Sequence, residues 1–227
     1  MIREKASGDH PYMTTLANAI HPQTLFTWLD FAGVAVASAG GAFAARQHKR
    51  YAYDIVGALG LAITSALGGG VARDVLLGRG TPLALVNVHY LYTALAGGIV
   101  ALFLDSSIGG WTQKLMLWID AAAISLFAVA GTSRADNFGL SWLPAVMLGI
   151  TTAVGGGSLR DVLTGTTPRV FEKGNFYAIA ALTAALLYIG LRSLGVPDLL
   201  CVSAGVIGGF LLRILSMELN WRTSKLK

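Results

Sequence analysis

The sequence predicts an all-α integral membrane protein with seven transmembrane helices, arranged as two inverted three-helix repeats plus a C-terminal helix. Three observations carry this expectation: an apolar, weakly charged composition, apolar blocks of spanning length, and one motif that occurs twice. Of the 227 residues, 54% are hydrophobic and 13% charged, and the mean hydropathy is +0.62. Soluble domains carry about 25% charged residues and cannot hide this much apolar surface. The apolar residues come in blocks of roughly twenty, the length that crosses about 30 Å of hydrocarbon at 1.5 Å per residue.

The spans are expected near 25–45, 52–77, 84–104, 114–133, 140–163, 174–194 and 197–216. They group as repeat one (25–104), repeat two (114–194) and a seventh helix (197–216), within a channel domain at 24–217. A polar tail precedes them at 1–23 and a basic tail follows at 218–227. The first tail carries Arg3, Glu4, Lys5, Asp9, His10 and Pro11 without a continuous apolar core, unlike a cleavable signal peptide. Short alternating segments of the kind that build a barrel are absent, and backbone groups in lipid must be satisfied within their own segment, so the spans are helices.

Net charge is +5, but the basic residues are scattered over tails and loops, and no basic stripe with interleaved aromatics offers a nucleic-acid surface. Their distribution instead predicts direction. With the N-terminus outside, Arg46, Lys49, Arg50, Lys114, Arg169, Lys173, Arg213, Arg222, Lys225 and Lys227 fall on the inner side. Only Arg3, Lys5, Arg79, Arg134 and Arg192 fall outside, which by the positive-inside rule places the C-terminus in the cytoplasm.

Spans one to three match spans four to six. Trp28-Leu29-Asp30 overlays Trp118-Ile119-Asp120 at an offset of 90 (118 − 28). The run Thr64 to Leu76 overlays Thr151 to Leu163 at 87 (155 − 68), with Gly78 on Gly165. Thr81-Pro82 overlays Thr167-Pro168 and Tyr90 overlays Phe176 at 86, so small loop deletions separate the copies. Three spans per copy make the second copy enter from the opposite face, an architecture that places its site between the halves on interrupted helices.

Within each copy the residues with chemistry are a glycine triplet and an Arg-Asp pair. Gly68, Gly69 and Gly70, and Gly155, Gly156 and Gly157, let a helix kink or unwind and free carbonyl oxygens that replace a cation's hydration shell. Thr64, Ser65, Thr151 and Thr152 would add hydroxyls to such a path. The competing reading is that the triplets only let helices approach closely, as Gly40-Gly41, Gly97-Gly98 and Gly208-Gly209 are expected to do. Arg73 and Arg160 lie inside spans, where an unpaired guanidinium costs about 2.5–3.5 kcal/mol. Each must either find a partner or snorkel to the interface. Asp74 and Asp161 are adjacent but about 100° away around an ideal helix, so Asp30, Asp120 and the aspartate of the other repeat are the better partners. Asp30 and Asp120 themselves read either as interfacial caps or as those partners.

No enzymatic machinery is visible: there is no nucleophile elbow, phosphate loop or Cys/His cluster. Cys201 is the only cysteine, and His10, His21, His48 and His89 show no ligand spacing, so no metal site or cofactor is expected.

GGGVARDVLLG at 68–78 and GGGSLRDVLTG at 155–165, on the second and fifth of seven spans, resemble the trimeric intracellular cation channel (TRIC) family in its prokaryotic form. The resemblance runs from Phe26 to Met217. It implies a homotrimer in the cell membrane, embedded among membrane lipids, whose protomers each hold a pore lined by kinked second and fifth helices. The permeant ion it implies is potassium, with sodium as a lesser one. The triplets match the family's kink positions, and Arg73 and Arg160 match its basic residue after each kink. A positive charge repels K⁺ at close range, so these arginines, with Asp74 and Asp161, are expected to gate or brace the pore. Bacterial members have also been connected with glycine uptake, which makes a secondary transporter for a small zwitterion the alternative.

Overall fold

The structure is a computed structural model that describes residues 22–48, 51–78, 80–108, 112–174 and 176–221. The tail expected at 1–23 lies outside the described residues as far as 21, as do Arg222, Lys225 and Lys227 of the basic tail. The described residues form a bundle of long helices: α1 (Pro22–Arg46), α2 (Ile55–Leu76), α3 (His89–Ile108), α4 (Thr112–Asn137), α5 (Trp142–Leu163), α6 (Tyr177–Ser193) and α7 (Asp198–Glu218). Five of them, α1, α2, α4, α5 and α7, are long and apolar enough to cross a membrane, while α3 and α6 give shorter apolar stretches.

Local chemistry sets the ends. Asp54 caps α2 by accepting the Gly57 backbone N–H at 2.7 Å, which satisfies one of the orphan donors of the first turn. Gly78 and Gly165 end α2 and α5 at matching positions, with φ of +64° and +69° that only glycine adopts without strain. Hydropathy alone placed the start of α3 near 84. Instead a single turn, Leu83–Val86, is followed by extended Asn87, whose side chain accepts the His89 N–H, and α3 begins there.

Helix α4 is the centre of the bundle and packs against α1, α5, α6 and α7. Its inner residues are small: Ala121, Ala128, Ser125, Thr132 and Ser133 are fully buried, with Ile124, Phe127 and Val129 filling the space between them. Buried hydroxyls of Ser125, Thr132 and Thr152 donate to the carbonyl four residues back, so they need no partner from outside their own helix. The outer faces carry Ile55, Val56, Phe103, Met147, Leu163, Leu200 and Ile207, all exposed. A surface of that kind belongs to a chain whose solvent is hydrocarbon.

Helices α2 and α5 cross in the middle, and both run through their glycine triplets without a break. The unwound turns expected there are not present: all six triplet residues are helical. What the absent side chains permit is contact. A β-carbon on Gly69 would strike the Thr152 carbonyl oxygen, and one on Gly156 would strike that of Ser65.

Candidate functional site

Each triplet helix brings its arginine to a carboxylate on the first helix of its own half. Arg73 donates from Nε to Asp74 Oδ1 at 2.9 Å and from Nη1 to Asp30 Oδ1 at 3.3 Å. Arg160 donates from Nε and Nη2 to Asp161 Oδ1 at 2.9 and 2.8 Å, and its Nη1 lies 3.8 Å from Asp120 Oδ1. Both arginines are almost wholly buried, at 3% and 2% exposure, so neither snorkels. The expectation that Asp74 and Asp161 point away is corrected. The helix does turn about 100° between neighbours, but a guanidinium on a three-carbon stem folds back across that angle. Asp30 and Asp120 pair with the arginines of their own repeats, as that reading allowed.

The aspartates of the motif also anchor the loops that follow. Asp74 Oδ2 accepts the Leu83 N–H at 2.9 Å, and Asp161 Oδ2 accepts the Arg169 N–H at 3.3 Å. Each cluster is completed by residues that the motif does not contain. At the first, Arg134 of α4 donates from Nε to Asp30 Oδ2 at 2.8 Å, and Tyr90 donates its hydroxyl to the same oxygen at 3.2 Å. At the second, Arg169 Nη1 lies 3.1 Å from Asp120 Oδ2. Beside it Arg213 of α7 stacks over Tyr177, 5.1 Å from the ring centre. Tyr177, not Phe176, is thus the counterpart of Tyr90: both are buried against their cluster, 5% and 6% exposed. A constant offset of 87 (177 − 90) would have found the pair.

Between the clusters lie two small cavities. One, of about 20 Å³, is lined by Asp120, Arg160, Tyr177, Ser65 and Gly157. The other, also about 20 Å³, is lined by Asp30, Arg73, Asp74, Tyr90 and Gly70. Each has room for roughly one water. The ring of Phe127 borders both and stands between them. The third glycine of each triplet therefore faces a cavity, while Gly69 and Gly156 make the helix crossing. Ser65 lines a cavity. Thr64, Thr151 and Thr152 donate back to Gly60, Met147 and Leu148 of their own helices.

Beyond Arg160 a wider vestibule of about 580 Å³ opens, lined by His48, Asp161, Thr164, Thr167, Arg169 and Glu172. His48 ties its rim together: its Nδ1 accepts the Tyr51 N–H at 3.1 Å, and its Nε2 reaches the Thr164 carbonyl at 3.0 Å.

Fold and site together define a multi-pass helical membrane protein in which buried ion pairs flank a doubled, water-sized interior. A family described as Glycine transporter matches residues 27–106 and 117–193, one stretch in each half. Among relatives, the UPF0126 membrane protein of Deinococcus radiodurans is 36% identical over 172 residues, 75% of either chain. The UPF0126 inner membrane protein YadS of Escherichia coli is 29% identical over 164 residues, 72% of this chain and 77% of that one. Among solved structures, the TRIC trimeric intracellular cation channel orthologue from Rhodobacter sphaeroides superposes with a TM-score of 0.80 at 31% identity, covering 87% of this chain and 99% of that one. A prokaryotic TRIC channel solved in 0.5 M KCl gives a TM-score of 0.80 at 26% identity, over 88% and 100%. The chain belongs to this family and is a prokaryotic TRIC family member.

Proposed function

We propose that the protein is a potassium-preferring cation channel of the cell membrane, with one conduction route in each protomer of a homotrimer. The observation that carries this reading is the row of two water-sized cavities between the buried clusters, interrupted by Phe127 and faced by Gly70 and Gly157. Polar, water-sized space at the centre of a hydrocarbon-facing bundle is where an ion route runs. The solved relatives are cation channels, one of them described as trimeric. In this reading all seven helices span the membrane as two inverted repeats plus α7, with the N-terminus outside, the C-terminus inside and lipids around the bundle.

The conformation described is closed. Arg73 with Asp30 and Asp74 occupies one end of the route, and Arg160 with Asp120 and Asp161 the other. Opening requires those pairs to part or swing aside, so the arginines gate and do not bind the ion. Catalysis has no part in this reading.

A second reading, transport of a small zwitterion such as glycine, draws on the vestibule, whose Arg160, Arg169, Asp161 and Glu172 present both signs of charge. Recording in planar bilayers under a KCl gradient tests both. Unitary steps reversing near the K⁺ equilibrium potential are expected. Saturable glycine counterflow in vesicles without unitary steps would replace the channel with a carrier.

A further inference from the structure

The two clusters occupy corresponding places but do not carry the same charge. At the first, Asp30 and Asp74 meet Arg73 and Arg134, two carboxylates and two guanidiniums. At the second, Asp120 and Asp161 meet Arg160 and Arg169, and Arg213 is added to them. The surplus has a topological origin. Leu83 and Arg169 hold the same seat, since each gives its backbone N–H to the motif aspartate of its half. In the first half that seat is apolar, so Asp30 takes its second cation from α4, the helix that follows α3. In the second half Arg169 takes Asp120, and the cation brought by α7, the helix that follows α6, feels the attraction of Asp120 but has no carboxylate within ion-pair distance among the described residues.

Arg213 is 5% exposed, and its Nε and Nη1 have no hydrogen-bond partner among the described residues. It forms no ion pair with any of the described residues. A guanidinium keeps its charge in such a place, and a poorly polarisable interior carries the field far. Tyr177, on whose ring Arg213 stacks, lines the cavity at that end. The unmatched charge therefore stands just behind the wall of the route.

We propose that Arg213 makes the route rectify, so that cations pass more readily when they enter from the Asp30 end than from the Asp120 end. This rests on the channel reading above. Repulsion at one mouth lowers the local cation concentration there and reduces the current that starts from it. The asymmetry is largest where screening is weakest.

The test is single-channel recording of the full chain in symmetrical KCl, reading the ratio of currents at equal and opposite voltages. The wild type is expected to give a ratio of about two to ten, larger at about 20 mM than at about 500 mM salt. Arg213→Gln brings the ratio near one, and Arg213→Lys keeps its direction. Leu83→Arg places a cation at the matching seat of the first cluster. Alone it lowers the ratio toward one, and combined with Arg213→Gln it reverses the direction. Thr167→Cys in the vestibule, modified by a membrane-impermeant thiol reagent in one chamber, identifies which end faces that chamber. A linear wild-type relation, a larger current from the Asp120 end, or an Arg213→Gln channel with the wild-type ratio overturns the proposal. If Arg213→Gln fails to fold, an unchanged ratio in Leu83→Arg overturns it equally. Absence of any unitary current in the wild type defeats the channel reading itself, a result distinct from a linear relation.

Discussion

Gly69 and Gly156 hold α2 and α5 in backbone contact, each lying where a β-carbon would strike a carbonyl of the other helix, Thr152 for the first and Ser65 for the second. Small residues commonly serve such approaches in membranes. Here the approach also fixes the distance between the cavities faced by the next glycine of each triplet.

Alanine at either position is expected to destabilise the bundle by about 1–3 kcal/mol, because the obstacle is main chain and cannot rotate away. This outweighs the roughly 1 kcal/mol by which alanine favours a helix over glycine. Gly60→Ala, with no atom within 4 Å of the new carbon, is the control and should be neutral or stabilising. Thermal unfolding in detergent measures all three.

Asp30 serves Arg73, Arg134 and Tyr90 at once. Asp30→Ala is expected to cost about 3–5 kcal/mol, since it leaves the mostly buried Arg134 guanidinium without its carboxylate. Tyr90→Phe removes one hydroxyl and should cost about 1–2 kcal/mol. The ordering of the two in a denaturation series checks the assignment of Asp30 as the hub.

Phe127 separates the cavities. Phe127→Ala should raise basal K⁺ flux in reconstituted vesicles while lowering stability by about 3–5 kcal/mol. Unchanged flux in a folded variant would show that the cavities are not on the route.

Ser65 faces a cavity, whereas Thr151 is turned to its own helix. Ser65→Ala is expected to change unitary K⁺ conductance, and Thr151→Val to leave it within about 20%, because Val keeps the shape and the helix keeps its own hydrogen bonds. Parallel recordings of the two variants decide between them.

The membrane class and the paired motif were legible because lipid imposes long apolar blocks and because duplication repeats its chemistry. The use of the glycines was not. An opened helix and a close crossing both require a missing side chain, and only the position of Ser65 and Thr152 opposite the triplets distinguishes them. Arg134 read as a loop charge because it lies three residues before the end of α4 at Asn137, and its partner Asp30 is 104 residues away in sequence. In the sequence Arg169 and Arg213 indicate only direction. Their meeting at Asp120 and Tyr177 depends on how α6 and α7 fold back on α4, which hydropathy does not encode.

A junction made of bare main chain has no teeth. Where leucines interlock, two rods must climb over one another to shift. With no side chain at Gly69 or Gly156, a slide of one rod along the other there would lose only a few van der Waals touches. The crossing that joins the two closed ends is thus also a bearing: a small slide there would carry Arg73 and Arg160 together, so that both latches move on one stroke.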